Sequence, residues 1–170
     1  KNIKKAVLVM TSLWSKIKPY IISVGIALAF GFLAAILTRD SMQIYSEIKV
    51  PPLAPPSILF PIVWTVLYVL MGISAALVYT NKDVNPKAAE KALMIYALNL
   101  ILNFSWSIIF FRFRAFLAAL ICLIALLITI VKMIISFYKI NKLSAYLQIP
   151  YLLWVAFAGY LNFGIFLLNR

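Results

Sequence analysis

Histidine is absent from this 170-residue chain, cysteine occurs once (Cys122), and the carboxylates number four: Asp40, Glu47, Asp83 and Glu90. Each shortage removes a class of chemistry. Without histidine there is no imidazole base, no Ser–His–Asp triad and no histidine-bound zinc or haem iron. A single cysteine forms no internal disulfide and holds no iron–sulfur cluster, so Cys122 reads as a small apolar packing residue. Charged residues make up 12% of the chain, about half the quarter or so usual in soluble domains. What is abundant is apolar: 65% of the residues, with a mean hydropathy of +1.04. A small domain cannot bury that much apolar side chain, because surface grows too fast relative to volume. The natural solvent of such a chain is lipid.

A membrane-spanning helix needs roughly 20 apolar residues. Five stretches qualify, at about residues 20–37, 57–80, 92–111, 116–135 and 143–168. Lys132 lies near the end of the fourth, where a long side chain reaches the interface. The expectation is an all-α integral membrane protein, a five-transmembrane-helix bundle over residues 19–170. A basic segment, residues 1–18, precedes it and reads as an interfacial helix.

The net charge of +12 does not point to nucleic acid, since the basic residues flank the apolar stretches. Five crossings place the two termini on opposite sides. Lys1, Lys4, Lys5, Lys16, Lys18, Lys82, Lys87, Lys91, Lys139 and Lys142 fall on the N-terminal side; Arg39, Lys49, Arg112, Arg114 and Arg170 fall on the other. The positive-inside bias then predicts a cytoplasmic N-terminus and an external C-terminus. The longest connection, residues 38–56, would be external. Its Pro51, Pro52, Pro55 and Pro56 predict a stiff, extended cap.

All four carboxylates lie outside the apolar stretches, so the bundle has no acidic side chain for a proton relay. Its polar content is neutral and aromatic. Tyr96, Asn99, Asn103, Trp106 and Ser107 recur every three or four residues and share one helix face. The second stretch offers Trp64 and Tyr68; the fifth offers Tyr151, Trp154, Ala158, Tyr160 and Asn162. Singly, such groups bond or pack between helices. Together, aromatic walls with a few placed polar groups suit a buried site for a flat apolar ligand. The small residues Ala27, Gly31, Ala35 and Gly72, Ala76 permit close helix approach, within the bundle or between two copies.

Three blocks of residues resemble the TspO/MBR family of translocator or tryptophan-rich sensory proteins. They are Pro55-Pro56 with residues 60–68, Met71 and residues 73–76; Asn99 and Asn103 with Trp106-Ser107 and Phe110-Phe111; and residues 150–154 with Phe157-Ala158, residues 160–162 and Asn169. The resemblance spans about residues 20–170. It implies a five-helix bundle, commonly dimeric, that binds a porphyrin or similar planar hydrophobic molecule as a ligand rather than a cofactor, with no metal. Carried over by position, Trp64, Tyr68, Asn99, Asn103, Trp106, Ser107, Trp154 and Ala158 would line the cavity. Tyr45, Pro51, Pro55 and Pro56 would belong to the lid. The implied function is a membrane receptor or sensor. The alternatives are a transporter of the same ligand and a light-dependent porphyrin-degrading enzyme.

The chain departs from the family pattern in the lid, where Ile44 and Leu53 replace two tryptophans. An acidic residue common in the fourth helix is missing near Ile121, and Phe163 stands for a later tryptophan. Fewer indoles weaken the degradative alternative. A neutral, aromatic interior favours binding over catalysis.

Overall fold

The computed structural model describes residues 2–39 and 47–170; for residues 2–11 and Val84 it describes the backbone alone. All regular structure among these residues is helical: α1 (Asn2–Thr38), α2 (Leu59–Thr80), α3 (Pro86–Ser107), α4 (Phe116–Tyr138), the short α5 (Lys142–Tyr146) and α6 (Ile149–Leu168). Five spans are long and apolar enough to cross a membrane: Ser12–Thr38, Leu59–Thr80, Pro86–Arg112, Phe116–Tyr138 and Lys142–Leu168. The protein is an integral membrane protein built as a five-span helical bundle. Tyr45 and Ile44 lie outside the described residues.

Local chemistry explains the element ends. Asn85 caps α3 by accepting from the Ala88 amide (3.1 Å), and Pro86 follows in the first turn, where its missing N–H costs nothing. Asn141 caps α5 in the same way through Ser144 (3.1 Å). The fifth apolar stretch is not one unbroken helix. Pro150 has no amide to give to the Tyr146 carbonyl, so the chain tightens at Leu147 and Gln148, with the Gln148 amide donating to Ala145 O (3.0 Å), before α6 begins.

The sequence pattern separates residues 1–18 from the first span, whereas the backbone is helical on both sides of Pro19. At ~1.5 Å per residue, the 37 residues of α1 reach about 55 Å, against ~30 Å of hydrocarbon. Pro19 falls between the charged flank and the apolar span. There the Ser15 carbonyl, which loses its helical donor, belongs to an exposed residue.

Packing follows the small residues. A Cβ on Gly72 would lie 2.5 Å from the Val24 Cα, and one on Gly31 would overlap the Tyr68 ring. The small-residue series therefore brings α1 and α2 together inside one bundle. Their contact is lined by Ala27, Met71 and Ala76, all fully buried. On the other side, Leu123, Leu126, Ile130, Met133 and Phe137 of α4 fill the space against α3 and α6. Outward faces carry Leu33, Ile121, Ile128 and Leu153, the apolar belt expected of a lipid-solvated surface.

Neutral polar groups tie these helices. Asn99 donates to Thr129 Oγ1 (2.9 Å) and accepts from the Tyr151 hydroxyl (2.8 Å), joining α3 to α4 and α6. The Ser74 hydroxyl donates to the Ser144 carbonyl (2.6 Å), joining α2 to α5. Such bonds between membrane helices contribute about 0.6–2 kcal/mol each.

Candidate functional site

Beyond Ser107 the chain leaves α-helical geometry for a π-helical turn, Ile108–Arg112, in which the Phe113 amide reaches back to Ile108 O (3.2 Å). The wider turn presents Phe111 to the space between α1 and α2. Wide turns of this kind are frequent at functional sites because they re-aim side chains within an otherwise regular helix.

That space is a cavity of about 520 Å³, within the usual range for small-molecule sites. One wall is α1: Gly25, Leu28, Ala29, Gly31, Phe32, Ala34, Ala35 and Thr38. Facing it are Phe60, Pro61, Trp64, Thr65 and Tyr68 of α2, and Trp106, Ser107 and Phe111 from α3 and its π turn. Trp64 is the hub of the aromatic wall. Its ring centroid lies 5.8 Å from Tyr68, 6.1 Å from Trp106 and 6.2 Å from Tyr151. Trp106 continues the stack to Phe110 (5.7 Å). Among the described residues, no lining side chain carries a charge.

The aliphatic lining hydroxyls are turned inward to their own helices. Thr38 donates to Ala34 O (2.8 Å), Thr65 to Pro61 O (2.7 Å) and Ser107 to Asn103 O (3.3 Å). The Trp106 indole N–H donates to Asn162 Oδ1 (3.1 Å), whose own amide donates to Phe116 O (2.8 Å). These bonds hold the aromatic wall rigid and leave it mostly apolar.

Half of the ligand residues inferred from the sequence line this cavity: Trp64, Tyr68, Trp106 and Ser107. Asn99 does not; it is fully buried and both ends of its amide are engaged by Thr129 and Tyr151. Asn103 stands behind Tyr68, donating to its hydroxyl (3.0 Å). Trp154 lies behind Phe60, ring centroids 5.9 Å apart, and Ala158 is buried in the packing of α6. The cavity is thus bounded by α1, α2 and α3, with α6 as a second layer. The sequence pattern missed the α1 wall and Phe60. The signal was present in Gly25, Ala29, Phe32 and Ala35, which recur at helical spacing, but small residues there also read as packing.

Of the lid residues, Pro51 is buried against Gly164 of α6, where a Cβ would lie 2.6 Å from its own Cβ. Pro52 accepts a hydrogen bond from the Tyr160 hydroxyl (2.8 Å). Pro55 and Pro56 lead into α2, with Pro56 O accepting from the Leu59 amide (3.0 Å). The described part of the lid is therefore fastened to α6.

Comparison with known sequences adds to this geometry. Residues 23–168 match the sequence model of the TspO/MBR family. The chain is 36% identical over 151 residues to the tryptophan-rich protein TspO of Chlorobaculum tepidum, covering 86% of this chain and 92% of that one. It is 38% identical over 148 residues to the protein of the same name from Archaeoglobus fulgidus, covering 86% and 94%. It is 31% identical over 156 residues to the translocator protein of Bos taurus, covering 89% and 92%.

Proposed function

The chain belongs to the TspO/MBR family, and from that premise we propose that it is a membrane receptor for a planar hydrophobic ligand, a porphyrin, bound in the cavity between α1, α2 and α3. The observation that carries this reading is the uncharged aromatic wall of Phe60, Trp64, Tyr68, Trp106 and Phe111. Stacking on such rings contributes about 0.5–1.5 kcal/mol per contact beyond simple burial, and burial itself supplies the larger share. Entry is from lipid or from the lid end. In the same reading the N-terminal end of α1 faces the cytoplasm of a bacterial cell, and two copies pair in the membrane.

Binding rather than reaction is favoured because the described walls are uncharged and their Thr38, Thr65 and Ser107 hydroxyls are bonded back to their own helices. Titration of the purified protein with protoporphyrin IX, followed by tryptophan quenching, tests the proposal. Saturable quenching that weakens in Trp64→Ala and Trp106→Ala supports it; affinity unaltered in both variants removes the site. Protein-dependent uptake of the same porphyrin into liposomes would point to the transport alternative.

A further inference from the structure

The cavity is chemically one-sided. Its described walls carry no charge, and the protons of Thr38, Thr65 and Ser107 are all given to carbonyls of their own helices. A charged group placed among them would give up its hydration with little compensation from the walls. The end of the cavity where α1 stops and the π turn begins is different. Arg112 follows the wall residue Phe111, and its Nη1 donates to Leu37 O at 3.4 Å, beside the wall residue Thr38. Among the described residues that is its one hydrogen bond, and it uses one of five guanidinium N–H groups; the side chain is exposed.

Among the described carboxylates, Glu47 is taken by Arg114 at 2.7 Å, and Asp83 and Glu90 sit in and after the α2–α3 connection, at the far end of the bundle. Arg112 therefore offers a planar, permanently charged donor at the mouth of an apolar pocket. Guanidinium pairs with a carboxylate through two parallel N–H···O bonds. Among the described residues, a cationic ligand finds no unpaired carboxylate in the same place.

Resting on the receptor reading above, we infer that the ligand is an anionic amphiphile: its apolar ring system fills the cavity and a carboxylate at its edge pairs with Arg112 at the rim. Arg112 is then a specificity-determining residue. It selects the acid form of a tetrapyrrole over an uncharged ester of identical ring, and it fixes which edge points outward.

The test compares protoporphyrin IX with its dimethyl ester, each titrated into native protein, Arg112→Gln and Arg112→Lys in phosphatidylcholine nanodiscs. The native protein is expected to prefer the acid by roughly ten-fold, about 1.4 kcal/mol. That ratio falls to about one in Arg112→Gln and is partly kept in Arg112→Lys, because a point charge pairs without the bidentate fork. Raising salt lowers the native ratio, since the pair is at an exposed rim. Equal affinity of native protein for both compounds overturns the inference while leaving the receptor reading intact. So does an equal loss of both in Arg112→Gln with the ratio preserved, which is what a purely structural cap on α1 would give. Failure of both compounds to bind native protein overturns the receptor reading and this inference together.

Discussion

Asn169 and Lys49, 120 positions apart, exchange two hydrogen bonds through the whole face of one amide: the Lys49 N–H donates to Asn169 Oδ1 (2.9 Å), and Asn169 Nδ2 donates to Lys49 O (2.8 Å). The asparagine side chain thus serves the lid as a neighbouring strand would, satisfying both backbone groups of one residue. Replacing it with leucine removes both bonds, each with a net contribution of about 0.5–1.5 kcal/mol. Amide exchange at Lys49 is expected to speed up roughly ten-fold or more in Asn169→Leu, measured by hydrogen–deuterium exchange. Lys49→Gln is expected to leave the exchange nearly as it is, because the lysine contributes its backbone and not its side chain. Unchanged protection in Asn169→Leu would mean that Tyr160 and the Pro51–Gly164 contact hold the lid by themselves.

Two glycines of the first two helices should respond oppositely to one added methyl group. At Gly72 the new carbon meets the Val24 backbone at 2.5 Å, and backbone cannot move aside as a side chain can. Gly72→Ala is expected to cost about 1–3 kcal/mol, the usual range for overpacking, seen as a lower thermal midpoint in detergent. At Gly25 nothing lies within 4 Å of the added carbon. Gly25→Ala is expected to be neutral or slightly stabilising, since alanine is the better helix former. Equal effects at both positions would contradict the close α1–α2 approach.

Asn99 and Gln148 are both fully buried amides, yet their substitution should have opposite signs. Asn99→Leu strands the Tyr151 hydroxyl, while Thr129 keeps its bond to Leu126 O (2.8 Å), with a penalty of about 1–3 kcal/mol for a buried group left unpaired. Gln148 has no partner for either amide atom among the described residues, so it already bears that cost. Gln148→Leu is expected to be neutral or stabilising. Paired thermal melts decide the matter, and a loss in Gln148→Leu as large as that in Asn99→Leu would refute the distinction.

The two amides also mark how far the sequence could be read. Five spans were visible in apolar run lengths, because lipid imposes that length on every crossing. The polar face of α3 was visible too, since Asn99, Asn103, Trp106 and Ser107 keep helical spacing. Which neighbour each residue meets was not visible. Asn99 turns to Thr129 and Tyr151, whereas Trp106 turns to the cavity, and that choice depends on the rotation of α3 against α4 and α6. The cavity wall on α1 was hidden for a related reason: Gly25 and Ala35 border a void and Gly72 borders a backbone, and small residues suit both. Arg112 looked like an ordinary flanking charge until the π turn set it beside the end of α1.

Trp64 and Trp154 both fit the resemblance to known relatives, but their depths differ, and ligand affinity should sort them. Trp64 is on the cavity wall with three aromatic neighbours. Trp154 touches the wall indirectly, through Phe60, and its indole N–H is buried without a partner among the described residues. Trp64→Ala removes a stacking surface and opens the pocket, and a loss of porphyrin affinity of roughly five- to ten-fold or more is expected from that contact alone. Trp154→Phe keeps a ring behind Phe60 and discards the unpartnered N–H, so affinity should change by less than about two-fold. Trp154→Ala lets Phe60 shift and should fall between the two. The measurement is a quenching titration of each variant, with retained helicity checked by circular dichroism. A Trp154→Phe loss equal to that of Trp64→Ala would place the ligand against α6 and shift the site away from α1.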